Sequence, residues 1–103
     1  MSAPPGWRNP IAAFLGQVQQ GVDAAQLPPS RGDLSRLRLA QQQQLYQSKT
    51  ARHTPIQVTT DGVIWDGHHA VRVAAEQGAM VDLLVVPAVV PPSGLTILQL
   101  PVR

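Results

Sequence analysis

The chain has 103 residues, eight Lys and Arg against six Asp and Glu, a formal net charge of +2, and no cysteine. That size suits one domain with a modest core, and the missing cysteine excludes disulfide frameworks, cysteine nucleophiles and thiolate metal sites. The basic side is nearly all arginine, with Lys49 the single lysine, but the arginines are scattered, so phosphate recognition is permitted rather than demanded.

No apolar run reaches the roughly 18 residues a membrane span needs. The longest, residues 83–90, is short and contains Pro87, so a soluble protein with no membrane partner is expected. The opening MSAPPGWRNP has no basic segment followed by an apolar one and a small-residue cleavage site, so it is not read as a signal peptide.

Residues 1–9 carry prolines and a glycine and read as an irregular lead-in, with residues 10–103 as one domain. Ile11, Leu15 and Val18 recur at helical spacing, which predicts a first helix over about residues 10–20, ended by Gly21. QLPPSRGD, residues 26–33, is a turn-rich connector, and Asp33 stands as N-cap for a second helix, LSRLRLAQQQQLYQ. Leu34, Leu37 and Ala40 or Gln41 supply one face of it and the arginines and glutamines the other, which predicts a helix lying on a sheet.

TPIQVTT and VIWDG flank Asp61-Gly62, a hairpin signal, so residues 55–66 read as a β-hairpin with Val63 to Trp65 partly buried and Trp65 in the core. AVRVAAEQG is a helix with Val71, Ala74 and Ala75 inward and Gly78 as its stop. MVDLLVVPAVV, residues 80–90, reads as a buried strand ended or bulged at Pro87, and LTILQL, residues 95–100, as a last strand. The sum is a small α+β domain: two N-terminal helices, a β-hairpin, a motif helix and C-terminal strands.

The chemistry concentrates at Asp66-Gly67-His68-His69, where a strand becomes a helix. Glycine lets the backbone bend sharply there, leaving the first helical amides free to face an anion. The helix dipole opposes protonation of a nearby imidazole, so one of His68 and His69 stays neutral at pH 7, able to act as a base or to donate to phosphate. Asp66 is placed to orient an imidazole, to cap the helix or to hold a metal-bound water. A metal held by histidines is disfavoured, because His53, His68 and His69 lack the i, i+4 spacing that puts two ligands on one helix face, and no metal site is assigned.

PIQVTTDGVIWDGHHAVRVAAEQGAMVDLLVV, residues 55–86, resembles the core of the ParB/sulfiredoxin-like superfamily, with its hairpin, Asp-Gly-His-His-Arg type motif, helix and Val-rich strand. LPPSRGDLSRLRLA, residues 27–40, is similar to the loop and helix that precede that core. The resemblance implies a phosphate or nucleotide crevice with Asp66, His68 and His69 catalytic and Gly67 holding phosphate. Partition adaptors, free-serine kinases, sulfinic acid reductases and ParB-like nucleases, some of them toxin or effector modules, belong to the group, and fold alone does not choose between them. Reductase chemistry of that kind needs a cysteine, and a partition adaptor needs a DNA-reading helix-turn-helix, whereas residues after 78 read as strands and prolines.

Ala70 departs from the motif, standing where the group carries arginine. Arg72 is offset by about 200° of helix, so Arg31 or Arg52, from loops, would have to complete the phosphate set of Gly67, Arg31, Arg52 and Arg72. The favoured expectation is a phosphate-directed enzyme, a hydrolase of the nuclease or toxin/effector kind acting on nucleic acid or nucleotides. The alternatives are a nucleotide-dependent free-serine kinase-like enzyme using the Asp33 carboxylate as base for the substrate hydroxyl, or a catalytically degenerate nucleotide-binding or interaction domain. The cofactor stays open between Mg²⁺ and a nucleotide, and a toxin would bring an immunity or partner protein.

Overall fold

The computed structural model describes residues 15–48 and 55–103. They form a small α+β fold with two α-helices and one four-stranded mixed sheet. In chain order the elements are β1 (Val18–Asp23), a 3₁₀ turn (Ala24–Gln26), α1 (Arg36–Ser48), β2 (Ile56–Val58), β3 (Ile64–Asp66), α2 (His68–Glu76), β4 (Met80–Val85) and a 3₁₀ turn (Ile97–Gln99).

The sheet order is β1-β4-β2-β3. β2 runs parallel to β4, with Ile56 opposite Leu83 and Val58 opposite Val85, while β1 and β3 are antiparallel edge strands. The period of two sends Ile56, Val58, Leu83 and Val85 to one face. There they pack with Val71, Ala74 and Ala75 of α2 and with Leu27, Leu34, Ile97 and Leu100 from the connecting segments. The inward triplet of α2 is the one its i, i+3, i+4 spacing predicts.

The hairpin forms where Asp61-Gly62 predicts it. Thr59 and Val63 pair through the Thr59 amide at 2.9 Å, the Gly62 amide closes the turn on the Thr59 carbonyl, and Gly62 takes φ +83°. Its register slips, however: Val58 faces Ile64 whereas Gln57 faces Asp66. Trp65 is therefore the extra residue of a bulge, and it is 46% exposed rather than in the core.

Four other expectations are corrected. Residues 18–20, expected to close a first helix, belong to β1, and residues 10–14 lie outside the described residues. A helix-like spacing of three apolar residues loses to pairing along β4, and Gly21 at φ +73° sits where the β1 register shifts between Gln19 and Val22. α1 starts at Arg36, not Leu34, because Leu34 is buried in a parallel bridge to Val102. Ser35 Oγ accepts the Arg38 amide at 3.3 Å and takes the capping role expected of Asp33. The helix packs chiefly against α2 rather than on the sheet, with Leu39 buried and Leu37 exposed.

The C-terminal expectation is corrected as well. β4 ends at Val85, and residues 95–100 hold no strand but the second 3₁₀ turn, which buries Ile97 and Leu100 and carries a Thr96–Gln99 capping box. Beyond it the backbone runs beside residues 34–36. The Leu34 amide donates to the Pro101 carbonyl at 2.9 Å, the Arg103 amide to Leu34 at 2.9 Å, and the Arg36 amide to Arg103 at 2.8 Å. Among the described residues no helix is long and apolar enough to cross a membrane.

Candidate functional site

β3 delivers Asp66 to the sheet end, and Gly67 makes the turn into α2 with φ +103°. That backbone belongs to glycine. A β-carbon at Gly67 would also stand 2.9 Å from Ile56 Cδ1, and Ile56 is buried. The first α2 bond runs from the Val71 amide to the Gly67 carbonyl at 3.0 Å, and no side chain caps the helix. The amides of His68, His69 and Ala70 are thus without a partner among the described residues, as helix geometry requires of an uncapped start.

The residues that carry these amides line an open crevice of about 820 Å³, together with residues of α1 and of the sheet. Arg31, Arg38, Gln57 and Asp82 line it together with Asp66, Gly67, His68 and His69. Arg31 makes a 3.4 Å ion pair with Asp33, which also meets Arg103 at 3.4 Å. The helix N-terminus and two arginines bring positive charge to a crevice that Asp66 and Asp82 also line.

The histidines are the most constrained groups in the site. His68 is 7% and His69 8% exposed, and each reaches from α2 to the connector before α1. His68 Nε2 accepts the Ser30 amide at 3.1 Å, and His69 Nε2 accepts the Ser35 amide at 2.9 Å. A backbone N–H only donates, so both Nε2 atoms are unprotonated and each neutral ring carries its proton on Nδ1. Ser30 Oγ lies 3.3 Å from the same His68 nitrogen, but its hydrogen goes to the Ile64 carbonyl at 2.7 Å.

Burial, then the Arg31 charge and the neighbouring His69, lower the His68 pKa to about 4, with Asp66 opposing. His69 is lowered by burial, then by Arg31 and Arg38. Both are neutral at pH 7, where the sequence reading asked for one.

The other sequence-selected residues divide. Asp66, Gly67, His68, His69 and Arg31 come together. Asp66 caps no helix and bonds to no imidazole; its exposed carboxylate has no hydrogen-bond or ion-pair partner among the described residues. Arg72 lies elsewhere: it pairs with Glu76 at 2.6 Å and donates to the carbonyls of Ile97 at 3.2 Å and Leu100 at 2.8 Å, which removes it from the phosphate set. Arg52 and His53 lie outside the described residues. Among those described, no three His, Asp or Glu residues cluster to hold a metal.

Arg38, Ser30 and Ser35 were missed. Arg38 reads as one more cation on a solvated helix face. The serine amides meet the histidines across 38 and 34 residues, a separation for which the sequence holds no local sign.

Comparison with protein-family models, curated proteins and solved structures returned no match.

Proposed function

We propose that the chain is a ParB/sulfiredoxin-like domain that binds a phosphate group of a nucleotide or nucleic acid at residues 66–70. One observation supports the reading: His68, His69 and Ala70, whose amides are bare, line a crevice together with Arg31 and Arg38. Free helical amides and guanidinium groups suit an oxyanion, which accepts from all of them. A crevice of about 820 Å³ has room for a nucleotide as well as its phosphate.

In its enzymatic form the domain is a nuclease or effector cleaving phosphate esters, with Asp66 as the proton acceptor or the ligand of a water-bearing Mg²⁺. Asp66 is favoured over the histidines because its carboxylate is unengaged whereas both Nε2 lone pairs are committed. A binding-only domain is the second reading, supported by Ala70 in place of the motif arginine and by the same occupied histidines.

The test is incubation of the purified protein with supercoiled plasmid and with total RNA, under Mg²⁺, Mn²⁺ or chelator, beside Asp66→Asn. Binding of inorganic phosphate and of nucleotides is followed in parallel by backbone amide shifts. Cleavage lost in Asp66→Asn establishes the enzyme. Phosphate shifts at His68, His69 and Ala70 without cleavage establish the binding domain, and neither result with any ligand rejects the reading.

A further inference from the structure

The occupied Nε2 atoms assign the histidine pair a different task from the one its motif suggests. Residues 30 and 35 bracket the short segment that carries Arg31 into the crevice and Asp33 beside it. His68 takes the amide at one end of that segment and His69 the amide at the other. Adjacent residues on the first turn of one helix thus grip both ends of one loop.

The rest of the loop is held independently. Pro28 accepts the Ile64 amide and Pro29 the Ser93 amide, while Leu34 is bridged to the C-terminal backbone. Among the described residues, the hydrogen bonds that tie residues 30–35 to α2 all go to the two imidazoles, and Leu34 adds apolar packing in the shared core.

We infer that His68 and His69 are positioning residues forming a paired clamp: as Nδ1–H tautomers they hold the arginine-bearing loop against the start of α2 through Nε2, and neither abstracts a proton. The inference deepens the proposed phosphate site, since the clamp sets how Arg31 stands relative to the free amides. It also narrows the chemistry. With one nitrogen of each ring accepting an amide and the other protonated, the site offers a ligand only donors from its imidazoles. Such a ligand is an ionised oxyanion, not a hydroxyl awaiting deprotonation by histidine.

Two measurements on the full chain test it. Long-range ¹H–¹⁵N spectra of the free protein at pH 7 read the tautomer directly. Both rings are expected neutral with the proton on Nδ1; an Nε2–H ring or an imidazolium in either residue overturns the clamp, whatever the protein binds. The second uses substitution. Glutamine places its Oε1 near the position of Nε2 and accepts an amide but cannot act as a base. His68→Gln and His69→Gln are expected to keep affinity for inorganic phosphate within about fivefold of the parent, whereas the alanine variants lose more than about tenfold.

Glutamine variants as defective as the alanine ones overturn the inference. Should the alanine variants fail to fold, the glutamine variants and the spectra decide alone. A protein that binds no phosphate but shows both Nδ1–H rings leaves the clamp standing and rejects only the phosphate site.

Discussion

His69 Nε2 accepts the Ser35 amide at 2.9 Å, so a side chain from the first turn of α2 sits at the residue that caps α1. The two helices are joined by this bond as well as by their packing, and protonation of the ring would replace an acceptor with a second donor facing an N–H.

Acid should therefore loosen the fold before it protonates most carboxylates. The folded pKa values of both histidines lie below the ordinary 6.5, for His68 at about 4. The unfolded chain thus binds more protons in this range, and stability rises with pH. Their contribution is complete above pH 6.5 and disappears as pH falls toward 4. The charged groups acting on the rings are Arg31, His69 and Asp66 at His68, and Arg31 and Arg38 at His69. Urea unfolding between pH 7.5 and 4 should show a loss on the order of 2–3 kcal/mol; a flat profile would sink the assignment of neutral, bonded rings.

Gly67→Ala tests the turn that makes the site. The substituted residue must hold φ near +103° and press on buried Ile56, at a cost of about 1–3 kcal/mol. Trimming the contact with Ile56→Val should recover only part of this, because the backbone strain remains. Full recovery of the melting temperature in the double variant would show that crowding, not φ, makes glycine necessary.

The parts of this arrangement legible in the sequence are the local ones. The Asp61-Gly62 hairpin, the inward Val71, Ala74 and Ala75, and the Gly67 turn are set within a few residues of themselves, and each forms as its spacing predicts. What failed depended on distant partners. Val18 reads equally as the end of a helix or an edge strand until β4 is beside it, and LTILQL becomes a 3₁₀ turn because Leu34 and Arg72 take up the backbone around it. The site followed the same division: the motif showed which side chains gather, but not that serine amides across 38 and 34 residues occupy the histidines.

Arg72 should matter for stability and not for ligand. Its guanidinium, with a side chain 14% exposed, ties α2 to the Ile97 and Leu100 carbonyls. Arg72→Met keeps the aliphatic packing but leaves those carbonyls without their charged donor, costing about 2–3 kcal/mol. Amide exchange at Leu34 and Arg103, whose bonds define the C-terminal bridge, should accelerate with it. Phosphate affinity at saturating folded protein should stay put; a tenfold drop would return Arg72 to the site.

Arg31→Gln separates the charge from the clamp. Arg31 is the second-largest cause lowering both histidines, after burial. Removing its charge should raise both pKa values while burial keeps them below 6.5. The gap to the unfolded value narrows, so the acid-induced loss of stability becomes shallower than in the parent. At the proposed phosphate site the same variant gives up a guanidinium donor, and affinity for inorganic phosphate should fall by about tenfold, with a weaker dependence on salt. Histidine titration by NMR and phosphate binding, made on one sample, read the two effects apart. Histidines that shift while phosphate affinity holds would place Arg31 beside the clamp but outside the anion site.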